Sequence, residues 1–295
     1  MMIDGFQTAI ADVNDQQICY SIGGNGPPVL LLHGFPQTHA MWHRVAPILA
    51  QEFTVVASDL RGYGHSSKPP GTTPYSFRHM GCDQHALMQH LGFEQYHLAG
   101  HDRGARVAHR LSLDFPDSLI SLTVMDIVPT HFLLSTLSKQ VATSYYHWFF
   151  LAQPYPFPES LIGHDPDTYF NSCLTGWGAS KLQDYDPDAL AAYQNCWRDP
   201  ETIRGMCADY RAALEIDFEL DATDLNKRFQ RKACVFYGRD GAMAKEYDVP
   251  GSWRDRFPQM HEKAIPGGHF FIDQHPKETS SALLEFLQQA HTAFV

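Results

Sequence analysis

The 295-residue chain is predicted to adopt an α/β fold, a mostly parallel central sheet flanked by helices, into which a mainly helical segment is inserted. Three observations predict it. Short apolar runs of strand length alternate with segments of helical periodicity through residues 29–126 and again from residue 233. A glycine-flanked turn, Gly100-His101-Asp102-Arg103-Gly104, sits where one such strand passes into a helix. Between these two stretches, residues 131–222 carry aromatic clusters, prolines and helical runs with little strand signal. The expected organisation is therefore a core built from residues 1–130 and 223–295, with 131–222 as a helical cap.

In chain order, residues 6–23 show weak alternation around Asn14-Asp15, a pair suited to a hairpin turn. Val29-Leu30-Leu31-Leu32 has no polar residue, as a strand buried on both faces requires, and runs into His33-Gly34-Phe35-Pro36. Thr54 to Ser58 is a second such strand, followed by the turn-rich Asp59-Leu60-Arg61-Gly62-Tyr63-Gly64. Phe77 to Leu91 reads as helix. Tyr96-His97-Leu98-Ala99 ends at Gly100, and Ala105 to Phe115 resumes helical spacing until Pro116 stops it. Leu122 to Met125 ends at Asp126. Past the insertion, Ala233 to Tyr237 is a strand, Pro266-Gly267-Gly268-His269 places a histidine in a glycine-rich loop, and Ser280 to Gln288 is helical.

Residues 100–104 fill a slot that in the α/β-hydrolase fold reads Gly-x-Ser-x-Gly, with aspartate where serine would stand. Strand before, helix after, and the order nucleophile, acid, histidine all resemble that fold, and His33 to Pro36 resembles its oxyanion-hole loop. The swap changes the chemistry. A serine alkoxide acylates, whereas a carboxylate is suited to displacing a leaving group from saturated carbon to give an ester that water cleaves. Carbon–halogen bonds and epoxides are the substrates this points to.

Composition sets limits. Lys+Arg 22 against Asp+Glu 33 gives a net charge of −11, which argues against nucleic acid or an anionic membrane as partner. A small anionic substrate would be repelled at long range and must be captured by arginines near the nucleophile. Met1-Met2-Ile3-Asp4-Gly5 has neither the basic start nor the apolar stretch of a signal peptide, and no segment reads as a membrane span. Six scattered cysteines form no Cys-x-x-Cys pair, which points to a reduced, cytoplasmic setting.

Gly100 to Arg106, Val124 to Thr130, Tyr145 to Phe150, Trp177 with its flanking glycines, Asp209 to Ala213 and Gly267 to Phe271 together resemble a haloacetate dehalogenase, the family that includes fluoroacetate dehalogenases, over nearly the whole chain. Haloalkane dehalogenases and many epoxide hydrolases share the fold but commonly carry tryptophan where Arg103 stands. Arg103 and Arg106, one and four residues after Asp102, are neighbours on the helix that follows, and arginine forks bind carboxylates through paired charge-assisted hydrogen bonds. They are expected to grip the substrate carboxylate, Arg106 having a surface ion pair as its alternative. The resemblance implies that His147, Trp148 and Tyr210 bind the departing halide, although aromatic runs such as Tyr145 to Phe150 also serve as core. Trp177 is compatible equally with lining a cavity and with packing the cap.

The expected mechanism needs no metal and no cofactor. Asp102 attacks the α-carbon, His269 activates water to cleave the ester, and the backbone N–H groups of Phe35 and Arg103 hold the oxyanion. The acid orienting His269 has two candidates. Asp126, after the strand that follows the elbow helix, is favoured by the resemblance, and Asp240, in Tyr237-Gly238-Arg239-Asp240-Gly241, stands where many other α/β-hydrolases carry theirs. A homodimer is implied by the resemblance alone. Two rivals stay open: an epoxide hydrolase using Tyr146 and Tyr210 as acids, and a silent binding protein whose triad the aspartate has disabled.

Overall fold

The computed structural model describes residues 3–177 and 180–294. Met1 and Met2, part of the N-terminal reading above, and Gly178, one of the glycines flanking Trp177, lie outside the described residues. Eight strands form one sheet: β1 (Gln7–Val13), β2 (Gln16–Gly23), β3 (Pro28–Leu32), β4 (Thr54–Ser58), β5 (Tyr96–His101), β6 (Leu119–Met125), β7 (Ala233–Gly238) and β8 (Met260–Ile265). Their spatial order is β1-β2-β4-β3-β5-β6-β7-β8. Pairing is antiparallel in β1/β2 and β2/β4 and parallel from β4 to β8.

The central strands explain themselves chemically. β5 and β6 are buried at every position because helices cover both faces, so their apolar runs lack alternation. The hairpin forms at the expected pair, with Asn14 and Asp15 both at positive φ, as a tight two-residue connection between twisted strands demands. Helix Phe77–His90 begins at a Ser76 side chain that accepts from the His79 N–H. The elbow helix spans Arg103–Asp114, two residues earlier than its periodicity suggested. The C-terminal helix is longer than expected, Pro276–Thr292.

β8 has no strand signal in the sequence. Its sequence, Met-His-Glu-Lys-Ala-Ile, is exposed over most of its length because it is the sheet edge, and charged residues protect such an edge from further pairing. Between β6 and β7 the described chain holds only helical elements, from Thr130–Ser135 to Phe218–Thr223. They lie beyond the carboxyl ends of the parallel strands, the end at which open α/β sheets bind ligands.

Candidate active site

The elbow is a backbone device. β5 runs up to Asp102, whose φ of 48° and ψ of −113° are rarely occupied by a residue with a side chain and cost roughly 1–3 kcal/mol. The chain can turn this sharply only because its flanking residues lack a Cβ. One on Gly100 would lie 2.4 Å from the Gly104 carbonyl oxygen, and one on Gly104 would lie 2.4 Å from the His33 carbonyl oxygen. The result lifts the Asp102 carboxylate to the start of helix Arg103–Asp114, where Oδ1 accepts the Phe35 N–H at 3.0 Å. Burial alone would raise its pKa, but His269, His101 and Arg103 together with that hydrogen bond bring it down to about 2.

His269 reaches the elbow from the loop after β8. Its Nδ1 donates to Asp126 Oδ2 at 2.6 Å, which leaves Nε2 bare and 3.7 Å from Asp102 Oδ2. Asp126, itself at φ 54°, is fixed by the Gly238 N–H on Oδ1 at 2.8 Å. Burial works against a charged imidazole here, and the Asp126 hydrogen bond and charge more than reverse it, so the His269 pKa is raised. Asp240 lies elsewhere: its Oδ2 accepts the Gly267 N–H at 3.0 Å, and its side chain is exposed. Of the two acid candidates, the chain brings Asp126 alone to the histidine ring. His101, next to the nucleophile, donates from Nε2 to the His269 carbonyl at 2.8 Å, and burial with His269 nearby lowers its pKa to about 4.

The two arginines are not equivalent. Both are buried, and Arg103 is enclosed by the rings of Phe77, Trp148 and Tyr210, 4.7, 5.0 and 4.2 Å from its guanidinium carbon. Its Nε and Nη2 are spent on Asp209, leaving Nη1 without a partner. Arg106 donates from Nη1 to the Val128 carbonyl at 3.1 Å and to Thr130 Oγ1 at 3.0 Å, and its Nε has no partner. A surface ion pair is not what Arg106 makes.

Packed against the arginines, His147 and Trp148 on helix Tyr146–Leu151 and Tyr210 on helix Pro200–Ala212 are buried together, with the His147 and Tyr210 ring centroids 5.5 Å apart and those of Trp148 and Tyr210 5.4 Å apart. Burial holds the His147 pKa well below and that of Tyr210 well above their ordinary values, so both are neutral at pH 7. His147 Nδ1 and Tyr210 Oη have no partner. Trp177 packs 4.2 Å from His147 and 5.3 Å from His269 by ring centroids, which makes it a wall of this site.

One expectation is corrected. Tyr146 is 48% exposed and faces away, so it does not join Tyr210 as a pair of acids; the helical turn instead buries its neighbour Tyr145, whose hydroxyl is unpartnered. Two adjacent tyrosines read alike in sequence, and only the phase of the helix decides which faces inward. Asp209 and Tyr63 were also missed. Tyr63 Oη donates to Asp209 Oδ2 at 2.6 Å, and no local motif links residues so far apart in the chain.

Away from this site, Cys19, His39 and Asp59 bring metal-capable atoms within 4.8 Å of one another. Both His39 ring nitrogens are already engaged there, Nδ1 with Asp59 at 2.7 Å and Nε2 with Ser21 at 3.2 Å. Among the described residues, no helix is long and apolar enough to cross a membrane.

A family model for the alpha/beta hydrolase fold matches residues 27–276. The chain is 50% identical to a fluoroacetate dehalogenase from Burkholderia sp. over 99% of its own length and 97% of the relative's. It is 29% identical to a soluble epoxide hydrolase from Corynebacterium sp., over 94% and 95% of the two lengths. Among solved structures, that of an alpha/beta hydrolase from Nostoc sp PCC 7120 superposes with a TM-score of 0.95 at 45% identity, covering 97% of this chain and 99% of the other.

Proposed function

We propose that this chain, which belongs to the alpha/beta hydrolase fold family and to its haloacetate dehalogenase branch, hydrolyses haloacetates to glycolate and halide through an ester on Asp102. The observation that carries the reading is a convergence of unsatisfied groups. Arg103 Nη1, Arg106 Nε, His147 Nδ1, Tyr145 Oη, Tyr210 Oη and His269 Nε2 are all buried without a partner around one carboxylate. Buried polar groups are normally paired, so such a cluster is kept for something that binds.

The groups sort by chemistry. Arg103 and Arg106 suit the carboxylate of a haloacetate and hold its α-carbon before Asp102 Oδ2, while Oδ1 rests on the Phe35 N–H. The carboxylate oxygen forms a C–O bond as the carbon–halogen bond breaks, and the halide leaves with the bonding pair. His147, Trp148 and Tyr210 offer neutral N–H and O–H donors that replace its water, which matters most for fluoride. His269 Nε2 then takes a proton from water, and the hydroxide adds to the ester carbonyl. The Phe35 and Arg103 backbone N–H groups receive the oxyanion and Asp126 supports the imidazolium; collapse breaks the bond between Asp102 Cγ and the ester oxygen, the glycolate alkoxide takes the proton back from His269, and Asp102 returns to carboxylate as its own proton passes to solvent. The helical segment 131–222 acts as the cap that excludes solvent.

Free halide released from fluoroacetate and chloroacetate by wild type and by Asp102→Ala tests this. Release by wild type alone supports the reading, and label from ¹⁸O water entering Asp102 during turnover establishes the ester. Release by both proteins, or by neither, overturns it, and turnover of an epoxide in the absence of halide release would move the chain to the rival activity. We place the enzyme in the cytoplasm as a homodimer acting on small anions; exposed Tyr155, Phe157 and Leu161 on one stretch of the cap supply an apolar surface for a second copy. Sedimentation of a monomer would refute that assembly.

A further inference from the structure

Six arginines are buried among the described residues: Arg61, Arg103, Arg106, Arg110, Arg211 and Arg256. Five of them lie within 4.0 Å of a carboxylate, on Asp83, Asp209, Asp224, Glu159 and Asp221 respectively. Arg106 is the exception; its partners are a carbonyl and a hydroxyl, both neutral. A buried cation without a counter-ion is costly, which is why buried charges are as a rule paired. Its pKa shows the cost, brought down to about 10 by burial and by the charge of Arg103, which the Asp102 carboxylate opposes without reversing. Arg103 moves the other way: burial would lower its pKa, and Asp209 more than reverses this.

We infer that the two arginines divide the work on the substrate carboxylate: Arg106 supplies the uncompensated positive charge that selects an anion, whereas Arg103, neutralised by Asp209, supplies one aimed hydrogen bond. The inference rests on the haloacetate reading and gives Asp209 and Tyr63 roles as positioning residues. Asp209 takes Arg103 Nε and Nη2 in a forked pair, and a further bond from Nη2 to the Asp209 carbonyl at 3.0 Å closes the grip. Only Nη1 is left free to face the site. Tyr63 locks the carboxylate in turn by donating to Oδ2 at 2.6 Å. The guanidinium plane is thereby fixed before substrate arrives, so little ordering entropy is lost on binding.

The arrangement makes a prediction that a pair of equivalent forks does not. Removing Arg103 alone strands the Asp209 anion, buried, beside the place where the substrate anion must sit. Removing Arg103 and Asp209 together takes away one hydrogen bond and no net charge. The test uses the dissociation constants of acetate and acetamide, isosteric ligands that differ in charge and cannot react, measured by NMR line broadening on wild type, Arg106→Gln, Arg103→Gln and Arg103→Gln/Asp209→Asn. Arg106→Gln is expected to abolish the preference for acetate over acetamide. Arg103→Gln is expected to weaken acetate by at least about a hundredfold, and the double variant to recover at least about tenfold of that loss. A double variant as weak as Arg103→Gln, or an Arg106→Gln protein that still prefers acetate, overturns the inference.

Should Arg103→Gln fail to fold, Tyr63→Phe removes a single hydroxyl and reports on the same relay. Both ligands are expected to weaken a few-fold with the preference for acetate over acetamide kept as in wild type, because the hydrogen bond that Arg103 supplies does not depend on ligand charge; no weakening, or a lost preference, overturns the positioning role. Because neither ligand carries a halogen, these outcomes are read independently of turnover: a protein that follows the expected pattern yet releases no halide keeps its divided clamp and loses the dehalogenase reading.

Discussion

The sheet side of the site and the helical side hold their polar groups by different means. On the sheet side, hydrogen bonds fix the polar groups one by one: the Asp102 carboxylate by the Phe35 N–H, the Asp126 carboxylate by the Gly238 N–H, and the His269 ring by Asp126. On the helical side, His147, Trp148 and Tyr210 are placed by aromatic packing and present donors that carry no charge at neutral pH. The difference follows from what each side must do. Bond making at carbon tolerates little displacement of the nucleophile, and a directional hydrogen bond fixes a carboxylate more closely than ring packing alone fixes a side chain. A departing halide needs donors in place of its water, and neutral N–H and O–H groups supply them.

The comparison breaks if the sheet-side residues prove interchangeable with their helical neighbours. The largest expected effect is that of His269→Gln, which leaves the first displacement intact and blocks ester hydrolysis: turnover falls roughly 10⁴-fold or more while one equivalent of halide still appears. Mass spectrometry of the protein after chloroacetate should show one carboxymethyl group on Asp102. Loss of the first halide as well would mean that His269 acts before the ester forms. Next comes Asp126→Asn, which keeps the shape but removes the charge that supports the imidazolium; about 10²- to 10⁴-fold loss in kcat is expected. Asp240→Asn should cost less than about threefold, because its carboxylate serves only a turn. A reversal of those two results would move the triad acid to the end of β7.

On the helical side, Tyr210→Phe deletes one donor and leaves the ring. Defluorination should drop about 10²-fold, the loss typical of one preorganised donor, and dechlorination by less than about tenfold, because chloride is the better leaving group and the less strongly hydrated ion. Equal losses for both halides would mean that Tyr210 shapes the cavity and does not bind the halide.

Legibility in the sequence followed the same division. β3 to β7 and the elbow could be read because burial on both faces leaves apolar runs, and because the turn at Asp102 demands glycines at fixed spacing. β8 could not, since an edge strand that faces solvent carries the residues of a loop. The elbow helix was placed two residues late because its first residues are chosen for the site rather than for amphipathic packing. Arg103 and Arg106 were visible as a pair, but their inequality was not: Asp209 lies 106 positions further along, and periodicity has no reach over that distance. Tyr145 cannot be told from Tyr146 in sequence, because only the phase of the short helix that starts there decides which of the two faces inward.

The pH profile, with an acid limb of about tenfold per pH unit, separates the two steps most cleanly. The first displacement needs Asp102 ionised and makes no use of a neutral imidazole. With the Asp102 pKa at about 2, halide release in the first turnover should stay flat as the pH is lowered from 8 to about 5. Ester hydrolysis needs His269 as a free base, and its pKa in the resting enzyme lies above the ordinary imidazole value of 6.5. Steady-state kcat should therefore fall on the acid side wherever hydrolysis is rate-limiting. The midpoint should lie below the His269 pKa measured by NMR in the resting enzyme, because esterification removes the Asp102 charge, one of the influences that raises it. Stability runs in the opposite sense. A histidine whose pKa is raised by folding contributes stability that is complete below the unfolded value and is lost as the pH climbs through the folded one, so the acid limb of kcat cannot come from losing that contribution. A first-turnover rate that falls together with kcat between pH 7 and 5 would mean that one protonation controls both steps, and the sheet side would then be a single coupled unit instead of a nucleophile and a separate base.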